Sequence, residues 1–429
     1  MNARVNNIML PILARPVERF LGIDLGYVFR GGSWLLIGKI FGSFIAFFLS
    51  VAYARYLPKS VYGDYRYVLS VLSIAGIFAL PGMATAITRG VARGYEGTFR
   101  MGGQIIFFSS FGITLVGFVL AAGLFFHGQS SLAWGFIIAS LIVPFVEGLG
   151  NWRGYYDGKS AFKEKTILNL YDQLFYALSM FLAIGIIVLF RTQGPVSLLV
   201  LLSAYSLGEG IPNTLFFLKT FKKVPKDSPA EPGSVRYGLH LSLMNIPATI
   251  ANYLDAVLLH AFIGPVTLAT YSFAIALPEQ LKAFLSLPAD IVFPKLSTQT
   301  PGQTLSVNLK KTLPKKIFKS SFITLVIVLI YIAMAPFVYK ILFPKYLDAI
   351  LFSQVFALSL ILFPFTIFNT ALKAEGNIKK IYVYNIGAPM IQIAVLAVLI
   401  PIYGLWGAIL GRIIGRLTNY LLPFLLFKK

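Results

Sequence analysis

The sequence predicts an all-α integral membrane protein with twelve transmembrane helices in two six-helix lobes. Three observations carry that prediction. The chain is 57% hydrophobic and 12% charged, with a mean hydropathy of +0.77. It contains apolar runs long enough to cross a bilayer, and its basic residues gather between those runs. No soluble core built from 429 residues needs such apolar content.

The runs fall at 32–55, 62–88, 102–126, 131–152, 166–190, 196–220, 237–263, 268–293, 317–341, 349–373, 378–400 and 404–427. With the N-terminus inside, the inner segments hold 27 Lys and Arg residues and the outer segments 6. That bias places both termini in the cytoplasm and the chain, as a multi-pass protein, in the cytoplasmic membrane. Residues 1–31, with Arg4, Arg15, Arg19 and Arg30 spread through them, read as a cytoplasmic arm and not as a signal peptide. The formal charge of +21 therefore reports topology and not a nucleic-acid partner. With no cysteine, and with His127, His240 and His260 far apart, no metal centre, thiol chemistry or catalytic residue is expected.

One Pro-, Ser- and Lys-rich stretch, KTFKKVPKDSPAEPGSVRYG, separates six runs from six. It gives an N-terminal lobe at 32–220, a cytoplasmic linker at 221–236 and a C-terminal lobe at 237–429. The halves echo one another. LPKSVYGDY from Leu57 and IGPVTLATY from Ile263 place Tyr65 and Tyr271 at an offset of 206, and YYDGKSAFK from Tyr155 matches LKAEGNIKK from Leu372 at 218. Nearly equal offsets in the same order predict a parallel repeat, as in two-lobed alternating-access transporters.

These stretches, together with ARYLPKSVYGDY after the first run, DAVLLHAFIG and ATYSFA through the seventh and eighth, and VFPKLS closing the eighth, resemble the polysaccharide-biosynthesis branch of the multidrug/oligosaccharidyl-lipid/polysaccharide exporter superfamily. The resemblance implies a MATE-like fold around a central cavity. It also implies a flippase, not an enzyme, that moves polyprenyl-diphosphate-linked oligosaccharide to the outer leaflet by alternating access. Other branches extrude drugs or organic cations, or flip the peptidoglycan lipid precursor. The latter commonly carry helices beyond the twelfth, which this chain, ending at Lys429, does not show. Their sodium site joins an acid on the seventh span to polar residues on the eleventh and twelfth. Asp255 and Asn385 occupy such positions, but the eleventh span here has no acid.

Nine ionisable residues at membrane depth need explaining: Lys39, Glu147, Asp172, Glu209, Asp255, Glu279, Lys282, Arg412 and Arg416. At ~3 kcal/mol each they would cost on the order of 25 kcal/mol facing lipid, so they are expected to face inward. Ser242, Asn245, Thr249, Asn252 and Asp255 share one helical face, as do Ser272, Glu279, Lys282, Ser286 and Asp290, and Arg412, Arg416 and Asn419. By helical rise, Asp255 lies roughly 7 Å and Arg412 about 5 Å to the outer side of the midplane, so the two can pair.

A lipid-linked diphosphate needs cations that grip phosphate without covalent chemistry. Lys39, Lys282, Arg412 and Arg416 are the candidates for the headgroup. Asp255, Glu279, Glu147, Asp172, Glu209, Asn252 and Asn385 are the candidates for gating or for coupling to Na⁺ or H⁺. No cofactor is expected. The partners are the lipid-linked oligosaccharide, membrane lipids and polysaccharide assembly proteins, with the chain acting as a monomer. Short outer connections leave little room for a glycosyltransferase or polymerase site, and four interior cations count against a drug antiporter. Tyr53, Tyr56, Tyr62, Tyr65 and Tyr67 read as an interfacial belt.

Overall fold

The computed structural model describes residues 33–192, 194–297, 307–369, 372 and 378–428. The 1–31 arm, Lys373 and most of LKAEGNIKK lie outside the described residues, as does the side chain of Asp290. The described chain is helical, in the order α1 (Ser33–Tyr56), α2 (Lys59–Ala75), α3 (Gly82–Ala92), α4 (Gly97–Phe126), α5 (Ser130–Val146), α6 (Trp152–Gly158) and α7 (Phe162–Leu189). There follow α8 (Gly194–Lys223), α9 (Ser234–Phe262), α10 (Pro265–Ser297), α11 (Val307–Leu342), α12 (Ile350–Leu358), α13 (Ile378–Tyr403) and α14 (Leu405–Lys428). Eight of the described helical segments are long and apolar enough to cross a membrane, and α2 with α3, bent by 47°, makes a ninth. α5 is apolar but has 17 residues. α9 and α10 have ample length, 29 and 33 residues, and carry the polar stripes. Every predicted run thus has a helical counterpart, and the chain is a multi-pass, all-α membrane protein.

α4 shows why these sequences pack as they do in lipid. Its large residues Phe108, Leu115, Val119 and Phe126 point outward, whereas Gly102, Gly103, Ser110, Thr114 and Gly117 are buried. Small residues let helices approach closely where no hydrophobic effect drives them together. A β-carbon on Gly117 would fall 2.3 Å from that of Ser140 on α5, and Thr114 Oγ1 donates to the Ser140 carbonyl at 2.8 Å.

Two spans are broken. α2 passes into a 3₁₀ turn, Gly76–Ala79, then Leu80 at φ 50°, then Pro81, which opens α3. Pro144 lacks the amide that would continue the ladder of α5, which ends at Val146 and resumes as α6 after a turn.

The halves meet where α2 and α3 pack on α9, and α2 on α10. The Gly82 amide donates to Ser242 Oγ at 3.0 Å. At the end carrying the α1–α2, α9–α10 and α11–α12 connections, Lys59 pairs with Asp348 at 2.8 Å, Arg55 donates to the Ile341 carbonyl at 2.5 Å, and Lys345 Nζ donates to the Leu57 carbonyl at 3.2 Å. His260 meets Asp64 at 2.8 Å while stacking on Tyr67 at 3.9 Å.

At the opposite end the stretch after α8 lies against the first half. Arg93 reaches Glu231, which is 7% exposed, at 2.6 Å. The Pro229 carbonyl accepts from the Gly97 amide, and Arg100 donates to the Phe221 and Val224 carbonyls. Tyr155 donates to Glu96 there, and burial with that carboxylate beside it pushes the phenol up to about 12.

Candidate functional site

The C-terminal half holds a continuous chain of charge. α9 buries Asp255, 2% exposed, and its Oδ1 accepts from the Ala256 amide at 2.8 Å. Its Oδ2 accepts from the Tyr271 hydroxyl of α10 and forms an ion pair with Arg412 of α14, which also donates to the Asn252 carbonyl at 3.1 Å. The level shared by Asp255 and Arg412 in the sequence is thus a direct contact. Two turns beyond Tyr271, Glu279 pairs with Arg416, approaches Lys282 at 3.4 Å and lies 4.0 Å from the second arm of Arg412. Arg416 also donates to Ser359 Oγ at 2.9 Å and sits over the Phe356 ring at 4.2 Å.

The backbone of α14 explains this placement. Gly407, Gly411 and Gly415, one turn apart, face α13, where added β-carbons would meet the Leu399 carbonyl, Leu396 and Gln392 at 2.0, 2.6 and 2.5 Å. Each arginine follows one of these glycines by one residue, so it leaves the helix on an adjoining face, toward α9 and α10. A buried charge left unpaired costs several kcal/mol, and here each one has a partner. Three cations against two carboxylates leave a formal +1. Lys39 of α1 reaches the same stripe of α10 by donating to Ser286 Oγ at 2.9 Å, and it joins the two halves.

Not every candidate converges. The Asn252 side chain is exposed, and its backbone carbonyl makes the contact to Arg412. At the level of Asp255, α13 contributes Gln392, whose Nε2 donates to the Ala251 carbonyl at 2.8 Å. Asn385 is half-buried, seven residues and roughly 10 Å back along α13. Spacing does not mark Tyr271 and Gln392 as partners, because an apolar helix hides single hydrogen-bonding groups.

Glu147, Asp172 and Glu209 form a separate group in the N-terminal half. Asp172, 5% exposed, pairs with Arg153 at 2.5 Å. Arg153 also donates to Asn169, Asn213 and the Gly150 carbonyl, at 3.0, 3.2 and 3.2 Å. Trp152 Nε1 donates to the same Asn213 oxygen at 3.0 Å. Beside them is a cavity of about 380 Å³ lined by Leu80, Glu147, Asn151, Arg153, Tyr205 and Glu209, among others.

The belt reading of the tyrosines is corrected. Tyr53, Tyr62 and Tyr65 are 7%, 8% and 3% exposed and pack ring against ring in the core, with Tyr62 5.0 Å from Phe273 of the other half. Of this group Tyr56 is openly exposed. The spacing that suggested a belt instead supplies aromatic packing between helices.

A family model described as polysaccharide biosynthesis protein matches residues 28–299, more than half of the chain. The chain belongs to that family. No curated protein matches it in sequence. Among solved structures, the lipid II flippase MurJ in an inward closed conformation superposes with a TM-score of 0.69 at 13% identity, over 92% of this chain and 87% of that one. A multidrug resistance MATE family transporter of the MOP superfamily gives 0.62 at 13% identity when inward-facing, over 90% and 94%. An outward-facing MATE family structure gives 0.60 at 15%, over 96% of both chains. This polysaccharide biosynthesis family member therefore has the MATE-like, two-lobed fold, and twelve helical spans are consistent with it.

Proposed function

We propose that this polysaccharide biosynthesis family member flips polyprenyl-diphosphate-linked oligosaccharide across the cytoplasmic membrane, by alternating access of lobes 32–220 and 237–429 with both termini cytoplasmic. The observation that carries the reading is the charge chain Asp255, Arg412, Glu279, Arg416 and Lys282, set between α9, α10 and α14, buried at Asp255 and Arg416 and accessible at Lys282, with a formal excess of one cation. A diphosphate competes for such cations, and no covalent step is needed to hold it or let it go. Lys282 and Arg412, whose side chains are 38% and 19% exposed, are the more accessible grips, and Arg416, at 6%, is the more structural one. Lys39 adds a contact from the first lobe.

Asp255 is the switch in this reading. Its carboxylate restrains Arg412 until a headgroup, a proton or Na⁺ takes up one partner, and so it couples occupancy to the packing of α9, α10 and α14. The excess positive charge disfavours an organic-cation substrate. The chain works as a monomer alongside polysaccharide assembly proteins.

The test is reconstitution of the full chain in proteoliposomes with a defined polyprenyl-diphosphate-linked oligosaccharide, varying Na⁺ and pH separately. Arg412→Ala and Asp255→Ala, each shown to be folded by monodisperse elution, are expected to lower the flipping rate at least tenfold. Wild-type rates in both variants overturn the reading.

A further inference from the structure

We propose that the cavity in the N-terminal lobe is a subsite for an uncharged sugar ring of the substrate, a proposal that rests on the flippase reading above. The cavity sits where both broken spans unwind: Gly76, Ala79, Leu80 and Pro81 from the bend between α2 and α3, and Glu147, Gly150 and Asn151 from the turn between α5 and α6. Irregular backbone at membrane depth is tolerated where it is buried in protein or lines a polar space, and discontinuous helices recur at transporter binding sites.

The lining selects the ligand. Glu147 and Glu209 offer carboxylate oxygens, and Asn151, 6% exposed, has an Oδ1 without a hydrogen-bond partner. Arg153 is already engaged with Asp172, Asn169, Asn213 and the Gly150 carbonyl, so it has little to give a phosphate. The lining holds two carboxylates, and its one guanidinium is already paired with Asp172 behind it, so the cavity presents no spare cation to a diphosphate. Among the described residues no group of His, Cys, Asp or Glu is arranged to hold a metal ion. A volume of about 380 Å³ falls in the ~300–1,000 Å³ range of small-molecule sites. Sugar hydroxyls donate to such acceptors, and the Tyr205 ring offers an apolar wall with a polar tip. The substrate is then divided between the lobes, with the diphosphate on the cationic chain of the second and sugar in the anionic cavity of the first.

Binding of two probes to the purified full-length protein tests this: a sugar-free polyprenyl diphosphate, and a polyprenyl diphosphate carrying a neutral trisaccharide. Wild type is expected to bind the glycan-bearing probe at least tenfold more tightly. Asn151→Ala and Glu209→Gln are expected to remove most of that preference while leaving the sugar-free probe unaffected. Free trisaccharide, which needs no variant to fold, is expected to weaken binding of the glycan-bearing probe alone. Equal affinity of wild type for both probes, or variants that lose both equally or neither, overturns the sugar subsite and leaves the flippase reading standing. Failure of wild type to bind either probe overturns both.

Discussion

Gly63 of α2 and Pro265 at the first turn of α10 are in backbone contact across the two halves: a β-carbon on Gly63 would fall 1.9 Å from the Pro265 carbonyl oxygen. Backbone atoms cannot swing aside as a side chain can. Gly63→Ala is therefore expected to destabilise the protein by about 1–3 kcal/mol through overpacking, read as a lower midpoint of thermal unfolding in detergent. An unchanged midpoint would show that the halves do not close this tightly.

Asp255 and Arg412 form a buried pair, so removing one partner strands the other. Asp255→Ala is expected to cost about 3–5 kcal/mol. Adding Arg412→Met should recover part of that loss, because the stranded guanidinium goes with it. Strictly additive losses in a double-mutant cycle would mean the two residues do not interact.

The pair between Lys59 and Asp348 behaves oppositely, since its side chains are 24% and 53% exposed. Exposed pairs contribute about 0–1 kcal/mol, so Lys59→Glu should leave the unfolding midpoint nearly untouched. Because the pair joins the two halves, the same change is expected to slow flipping several-fold, and Lys59→Glu with Asp348→Lys to restore it. Failure of the double exchange to restore the rate would remove this contact from the transport cycle.

Arg416 forks between Glu279 and Ser359 above the Phe356 ring. A lysine keeps the charge but cannot make the planar, two-armed contact. Arg416→Lys is expected to cost about 1–3 kcal/mol from the lost hydrogen bond and ring contact, measured by chemical or thermal unfolding. A variant as stable as wild type would reduce Arg416 to a point charge.

Helical periodicity and the cost of charge in lipid made much of this legible. Of the stripe on α9, Ser242 and Asp255 are buried while Asn245 and Asn252 are exposed, so periodicity placed the two ends and not the whole face, and depth alone brought Asp255 to Arg412. What periodicity does not encode is the neighbour on another helix. Gln392 on α13 and Tyr271 on α10 are single polar groups in apolar runs, and nothing in spacing marks them as partners of α9. The tyrosines near residue 60 were misread because aromatic rings suit a lipid interface and a packed core equally well. The cavity in the first half depends on two helix breaks more than 60 residues apart in sequence, and their convergence is a property of tertiary packing.

The anchoring of Glu231 by Arg93 gives the stretch after α8 a mechanical meaning. A segment pinned at Val224, Pro229 and Glu231 travels with the first half. The Glu231 carbonyl in turn accepts from the Ser234 amide at 3.2 Å, and Gly233, at φ 75° immediately before the helix begins, lets the chain turn tightly from that pinned stretch into α9. The connection between the halves is therefore short and held at both ends, and α9 begins docked on α3 through Gly82 and Ser242, not hung from a slack tether.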